Sequence, residues 1–396
     1  MHRRNFIKSS VLASTACMVP AFLSHTQPGR NLWGSRSGKV LVVIQLSGGN
    51  DGLNTVIPYE DAAYYQLRPT LGIAKNEVLK ISELIGLHPA LAPLEKLYRE
   101  GGVSIVNNVG YPNPDRSHFR SMDIWHTASD SSAYWNTGWL GRYLDHECAG
   151  KPAYHALEVD DGLSLALKGE HRSGFAMSSA QRIQRAARQG FLQAIDQAPS
   201  TEDHKVAYLY KTLRETRQSA EYLYQQSKVH KSSVAYPDSK FATDLRQIAE
   251  LMTADTDTRI YYVSLGGFDT HAGQLNRQAR LLKEYAEGVA AFAEDLQRNR
   301  LWEDTLVMTF SEFGRRARQN AGGGTDHGTA NNVFLMGGQL RQTGLYNPGP
   351  DLSRLQDDDL MFDIDFRRIY ATVLDRWLEA DAAQILQGRF ELLGCV

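Results

Sequence analysis

Cysteine is scarce in this chain: three residues in 396, at positions 17, 148 and 395, with no Cys-x-x-Cys pair among them. A thiolate-bound metal is therefore not expected. There is no Rossmann-type glycine pattern and no haem-attachment motif, which weighs against redox chemistry on a bound cofactor. The apolar stretch at the start is too short for a comfortable membrane span, and no later run is long enough. Neither sign of charge is in excess, with 43 Lys and Arg against 45 Asp and Glu and a formal net charge of -2. Such a balance lacks the basic footprint of a nucleic-acid partner. No internal repeat or low-complexity tract interrupts the chain. What remains, 42% hydrophobic and 22% charged residues, is the composition of a globular protein with a sizeable core.

The N-terminus reads Met1-His2-Arg3-Arg4-Asn5-Phe6-Ile7-Lys8 and continues into an apolar run from Val11 to Leu23. Paired arginines, an aromatic two positions on and a short apolar stretch form a twin-arginine export signal. We therefore expect residues 1–24 to be a signal peptide and residues 25–37 a polar linker. Residues 38–396 would be the mature domain, periplasmic or secreted. The twin-arginine export machinery is then a partner, and that route carries folded proteins. Cleavage would remove three cations and no acid, taking the formal charge to about -5. No clean Ala-x-Ala site marks the cut. Cys17 lacks the leucine of a lipoprotein site. Cys148 and Cys395 would remain, and an exported setting permits them to pair; the sequence leaves open whether they do.

Continuous apolar runs bounded by turn residues suit strands buried on both faces of a parallel sheet. They occur at Lys39–Leu46, Val103–Val106, Arg259–Ser264, Thr305–Phe310 and Asn332–Met336. Amphipathic helical patterns cover Leu91–Glu100, Gln274–Arg298 and Phe366–Leu378. Residues 181–230, rich in Gln, Arg, Lys and Tyr, read as a helical insertion. Strands alternating with helices predict an α/β fold with a mainly parallel, doubly wound sheet. The Gln274–Arg298 helix between two strands predicts a right-handed βαβ unit.

Ligands of such sheets bind beyond the carboxyl ends of the strands, and polar motifs follow each expected strand. Asp51 lies in Gly48-Gly49-Asn50-Asp51-Gly52, where an Asp either shapes a turn or ligates a cation. Asp115-Arg116-Ser117-His118 opens a helical stretch. Ser117 there is either a cap or a nucleophile facing an anionic group at a helix N-terminus. Asp269-Thr270-His271 pairs a carboxylate with an imidazole. Glu312 leaves a buried strand and needs a cation or a donor, which a metal, Arg315 or Arg316 would supply. His327 sits in a Gly-rich loop. Oxygen and imidazole ligands without thiolate suit zinc foremost, with manganese, magnesium or calcium as alternatives. Asp51, Asp269, His271, Glu312 and His327 match one metal better than two. Arg116 or Arg315 would hold the spare oxygens of a phosphate or sulfate.

At these motifs the chain resembles the exported bacterial proteins of unknown function in the alkaline phosphatase/sulfatase superfamily. The matching pieces are Arg3-Arg4, Gln45–Thr55, Arg116–Phe119, Gly267–His271, Phe310–Arg315, Asp326–Thr329 and Asp365–Tyr370. They span nearly the whole mature chain. The resemblance implies an alkaline-phosphatase-like three-layer sandwich with metal at the strand ends. It makes Asp51 the first metal-binding Asp and Ser117 the nucleophile. Asp269 and His271 match one metal site, and His327 the last His. Where relatives carry an Asp-His pair, this chain has Glu312-Phe313, so one imidazole is missing; His118 or Asp326 are candidates to fill the gap. No Cys-x-Pro-x-Arg motif is present, which weighs against a formylglycine sulfatase. The expected activity is metal-dependent hydrolysis of a small-molecule or polymer-borne phosphate or sulfate ester. The alternative is a non-catalytic exported binding or scaffold protein that retains the fold and a partial metal site.

Overall fold

The computed structural model describes residues 38–187 and 204–396. The expected signal and linker, and residues 188–203 of the expected insertion, lie outside the described residues. The fold is built around β1 (Val40–Ser47), the innermost strand of the sheet. Val40, Val42, Ile44 and Leu46 pack to one side of it, and Leu41 and Val43 to the other. A strand covered on both faces is apolar at nearly every position, which is why its sequence reads as an unbroken run.

In chain order the other strands of this sheet are β2 (Val103–Gly110), β3 (Ala156–Glu158), β4 (Phe175–Ala176) and β5 (Ile260–Gly266). They are followed by β6 (Thr305–Phe310), β7 (Asn331–Met336), β8 (Gly344–Leu345) and β9 (Ile364–Asp365). Their spatial order is β8-β2-β7-β6-β1-β5-β3-β4, with β9 also alongside β2. Every pairing is parallel except those of β7, which runs antiparallel to both β2 and β6. All five strands expected from sequence are present. The second continues four residues past its apolar run. There the Asn107 N–H donates to Asn347 Oδ1 (2.7 Å), and Asn108 Nδ2 donates to Asp363 Oδ2 (2.7 Å).

The helices longer than one turn are α1 (Ala62–Leu67), α2 (Ala92–Arg99), α3 (His118–Thr127), α4 (Trp139–Glu147) and α5 (Ala180–Ala187). After them come α6 (His204–Gln226), α7 (Lys240–Thr253), α8 (Gln274–Arg298) and α9 (Phe366–Thr372). One face of the sheet is covered by α2, α7 and α8 through Leu94, Leu245, Ile248, Tyr285 and Phe292. The other is covered by α3, α4 and α9 through Ile124, Trp125, Leu140 and Tyr370. This is the expected α/β architecture, a mainly parallel sheet with helices on both faces. Helix α8 links β5 to β6, and β1 lies between those two strands. The helix expected over Phe366–Leu378 is α-helical to Thr372. It then widens into a π-turn over Val373–Trp377, closed by Leu378 N–H to Val373 O at 2.9 Å.

Helix α3 is held at a fixed height over the sheet by aromatic stacking. Trp125 lies between Phe310 at the end of β6 (4.9 Å, 10° between planes) and Phe366 at the start of α9 (4.3 Å, 22°). Such pairs add about 0.5–1.5 kcal/mol each beyond burial. They set where the first residue of α3, His118, meets the strand ends. The described parts of the expected insertion are α5 and α6, with Tyr222 of α6 stacked on Tyr154 (4.4 Å). Cys148 and Cys395 are buried free thiols. Among the described residues, no helix is long and apolar enough to cross a membrane.

Candidate metal centre

Three loops and one helix start meet at the carboxyl edge of the sheet. Two follow β1 and β5, and the third joins β6 to β7. Because β7 runs antiparallel, the residues before it reach the edge that the other strands reach at their ends. The β1 loop lies against the β5 loop. Gly48 has φ +115°, and a Cβ there would fall 2.5 Å from the Asp269 amide nitrogen. Glycine is what lets the two backbones approach so closely.

Three imidazoles surround the Asp269 carboxylate. His118 Nε2 is 3.5 Å from Asp269 Oδ1, His271 Nε2 3.1 Å and His327 Nε2 3.2 Å. The opposite nitrogen of each ring faces an oxygen acceptor. His118 Nδ1 meets Glu312 Oε1 (2.9 Å), His327 Nδ1 meets the Arg116 carbonyl (2.7 Å), and His271 Nδ1 meets Asp326 Oδ1 (3.3 Å). Each ring thus faces an oxygen on both sides, and the neutral tautomer with its hydrogen on the outer nitrogen has its lone pair on Nε2. In that tautomer His118 and His327 offer lone pairs beside the Asp269 carboxylate in one small volume. His271 Nε2 and His327 Nε2 are only 2.9 Å apart, a contact that two lone pairs tolerate only around a proton or a cation.

The outer oxygens do what second-sphere groups do for a bound metal: they fix the tautomer and aim the ring. Glu312 is fully buried and doubly engaged, its Oε1 also accepting the Gly48 N–H at 2.8 Å. Its hydrogen bond to His118 is the main reason that the imidazole's pKa is raised, against the opposing effect of burial. Burial lowers the pKa of His327. Burial also works against ionisation of Asp269. Hydrogen bonds from Arg315 and His327, with the charge of Arg315, outweigh it and hold the carboxyl well below the usual range.

Arg315 is 1% exposed and ties the loops together. Its guanidinium donates to Gly49 O (2.7 Å), Thr325 O (3.0 Å), Phe268 O (3.0 Å) and Gly48 O, and to Asp269 Oδ1 (2.8 Å). Five acceptors around one planar fork are the geometry that favours arginine over lysine. Phe313 fills the space beside the imidazoles, with its ring centroid 4.8 Å from those of His118 and His327.

The residues expected from sequence fall in three places. Asp269, His271 and His327 come together. Glu312 joins them one step back, through His118. Asp51 is not in that cluster: its carboxylate, fully buried, pairs with Arg68 Nη1 at 2.5 Å and accepts from Gln274 Nε2 and from the Asn54 N–H (3.3 Å). Ser117 occupies the N-cap position of α3 without a capping bond from its side chain. It is exposed, and its hydroxyl has no hydrogen-bond partner among the described residues. Arg116 is half-exposed and bonds the buried Asp359 through Nε (3.2 Å) and Nη2 (3.0 Å).

Sequence reasoning named His118 only as a substitute and passed over Arg68 and Gln274. The signal for His118 was its place directly after a helix-start serine, which puts it in the first turn facing the strand ends. The side chains fit a divalent cation. His118, Asp269 and His327 offer ligand atoms that all lie within 4.8 Å of one another, and His118 Nε2 is buried with no hydrogen-bond partner. Nitrogen-rich donors with one carboxylate oxygen suit zinc better than calcium or magnesium.

Among solved structures the chain is similar to the PsFucS1 sulfatase from Pseudoalteromonas sp., with 12% identity over 90% of this chain and 70% of that one and a TM-score of 0.40. It is also similar to the phosphonate monoester hydrolase SpPMH from Silicibacter pomeroyi (10% identity, 89% and 75% covered, TM-score 0.41). A third is the lipoteichoic acid synthase LtaP from Listeria monocytogenes (12% identity, 81% and 70%, TM-score 0.31). No curated protein shows a significant sequence match. Residues 102–387, which contain every member of the imidazole cluster, match the family model described as "Protein of unknown function (DUF1501)", and the chain belongs to that family.

Proposed function

We propose that this protein is an exported metal-dependent hydrolase of phosphate or sulfate esters, with zinc as the metal. The observation that carries the reading is the convergence of three Nε2 atoms on Asp269 Oδ1, each ring turned by an acceptor behind it. His118, Asp269 and His327 would hold the ion, with His271 at the outer edge. A metal bound there would draw charge from the ester oxygens and lower the pKa of a neighbouring hydroxyl.

The chain's own groups serve the same end. Ser117 adjoins His118 and presents an uncommitted hydroxyl at a helix N-terminus, where an anionic ester group is favoured. The Arg116 guanidinium uses one edge on Asp359, and its Nη1 has no bond among the described residues; it would meet a non-bridging ester oxygen. Glu312 keeps the His118 Nδ1 proton in place, and Arg315 keeps Asp269 ionised and fixed. Export rests on Arg3-Arg4 and the apolar run behind them. Recovery of the full-length chain only from the cytoplasm would contradict that part.

Ser117→Ala should abolish turnover of aryl phosphate and aryl sulfate while metal content stays at the parent level. An unchanged rate would remove Ser117 from the mechanism. A second reading, a binding protein without turnover, draws on the absence of a hydrogen-bonded base for the Ser117 hydroxyl among the described residues. Under it the parent retains metal and hydrolyses no ester.

A further inference from the structure

One face of the sheet changes character where three neighbouring strands end. On β1, Leu41 and Val43 are followed on the same face by Gln45 and Ser47. On β5, Ile260 and Tyr262 are followed by Ser264 and Gly266. On β3, Ala156 is followed by Glu158 and, past the strand, by Asp160. The register places Gln45 beside Ser264 and Glu158 beside Tyr262, so the polar positions form one floor. Met122 and His126 of α3 cover part of it. Between floor and helix lies an open cavity of about 510 Å³, within the roughly 300–1,000 Å³ usual for small-molecule sites.

The back wall is fixed. His126 Nε2 lies 3.1 Å from both Gln45 Oε1 and the Tyr262 hydroxyl, and that hydroxyl also bonds Gln45. In front of it, the Ser47 and Ser264 hydroxyls have no hydrogen-bond partner among the described residues. Glu158, 4% exposed, accepts the Ser164 N–H at 2.6 Å. Burial pushes its carboxyl up to about 7, so near neutral pH it both donates and accepts. Polar groups set into a half-covered sheet face do nothing for the core and cost desolvation; they suit a polar ligand.

The cavity adjoins the imidazole cluster. His118, Met122 and His126 are four residues apart and share one face of α3. The helical rise puts Met122 about 6 Å and His126 about 12 Å along the axis from His118. Ser47 precedes Gly48, whose N–H holds Glu312, and Gly266 is three residues before Asp269.

We propose that this cavity receives the hydroxyl-bearing, sugar-like part of the ester whose phosphate or sulfate lies at the His118–Asp269–His327 cluster. The proposal rests on the function proposed above. Closely spaced hydroxyls need donors and acceptors together, as Ser47, Ser264, Glu158 and Asp160 supply. An ammonium group would find no use for the serine donors and would meet Lys240 at the mouth, already bonded to Asp244 (2.6 Å).

The test is equilibrium binding to the full-length, metal-loaded protein. The probes are glucose 6-phosphate and 6-sulfate, phenyl phosphate and sulfate, and phosphoethanolamine. The sugar esters should bind at least about tenfold tighter than the phenyl esters and phosphoethanolamine. Ser264→Trp, which fills the cavity, should erase that difference and leave metal content at the parent level. Asp160→Ala, at the surface, should reduce it in part. Equal affinities, tightest binding of phosphoethanolamine, no binding of any probe, or a sugar preference that survives Ser264→Trp would overturn the subsite. Metal content and phenyl-ester turnover, measured alongside, judge the function proposed above separately.

Discussion

Asp51 and Asp269 follow neighbouring strands at the same edge of the sheet, yet their surroundings are opposite. Around Asp51 the polar atoms are paired. Arg68 meets its carboxylate, Asn54 Oδ1 (2.7 Å) and the carbonyls of Arg316 and Ala317 (both 3.0 Å), and Tyr64 closes the ring on Asn54 (2.9 Å). Both charged side chains are fully buried. Around Asp269 the outer ring nitrogens face acceptors, the inner ones crowd on one carboxylate oxygen and on one another with His118 Nε2 left without a hydrogen bond, and the Asp269 side chain is 47% exposed. The first is a closed ion pair that joins two loops. The second is open to a cation. A carboxylate in a Gly-rich turn at a strand end is thus not enough to mark a ligand; what matters is whether its partners leave lone pairs over.

The largest effect should come from breaking the closed pair. Asp51→Ala leaves Arg68 buried without its counter-charge and should destabilise the protein by about 3–5 kcal/mol, read by denaturant unfolding. The fraction that stays folded should bind metal as the parent does. Loss of metal from folded Asp51→Ala would make Asp51 a ligand after all and erase the contrast.

A third carboxylate sharpens it. Glu158 is buried at the same edge with no ion pair among the described residues, and its carboxyl is pushed up to about 7. Between its ordinary value and about 7, the folded state keeps a proton that the unfolded state has released. Stability therefore falls as pH rises through that window. Glu158→Gln removes the dependence. Its stability relative to the parent should rise by up to about 3 kcal/mol between pH 4.5 and pH 8, measured as unfolding free energy. A difference that does not vary with pH would show that Glu158 ionises normally.

The smallest change is expected one step behind the cluster. Glu312→Gln keeps an acceptor for the Gly48 N–H but weakens the hold on His118 Nδ1. Metal affinity, measured by chelator competition, should fall about 10–100-fold. No change would remove Glu312 as the group that aims His118.

Much of the fold was legible because the sheet is buried on both faces. The five long strands appear as apolar runs, and helix α8 begins and ends at the residues its amphipathic pattern indicates. Strands β3, β4, β8 and β9 are two or three residues long, too short to show a period. The direction of β7 was not legible either, since it depends on which neighbours a strand pairs with. At the site, Asp269, His271, Glu312 and His327 could be gathered by their positions after strands or before one. Arg68, 17 residues past Asp51, carries no pattern that connects it to its partner. Asp51 therefore read equally as turn and ligand. Ser117 drew attention that its neighbour His118 shares, because chemistry at a helix start suggests a nucleophile more readily than a ligand.

The most direct test is metal content per chain in protein purified after expression of the full-length sequence, beside Asp269→Ala and His327→Ala. One equivalent of zinc in the parent, lost in both variants while their folds persist by circular dichroism, is the expected result. A parent that binds no metal after incubation with zinc, manganese, magnesium or calcium would contradict it. The three imidazoles would then be held by shared protons, and the hydrolase reading would fall.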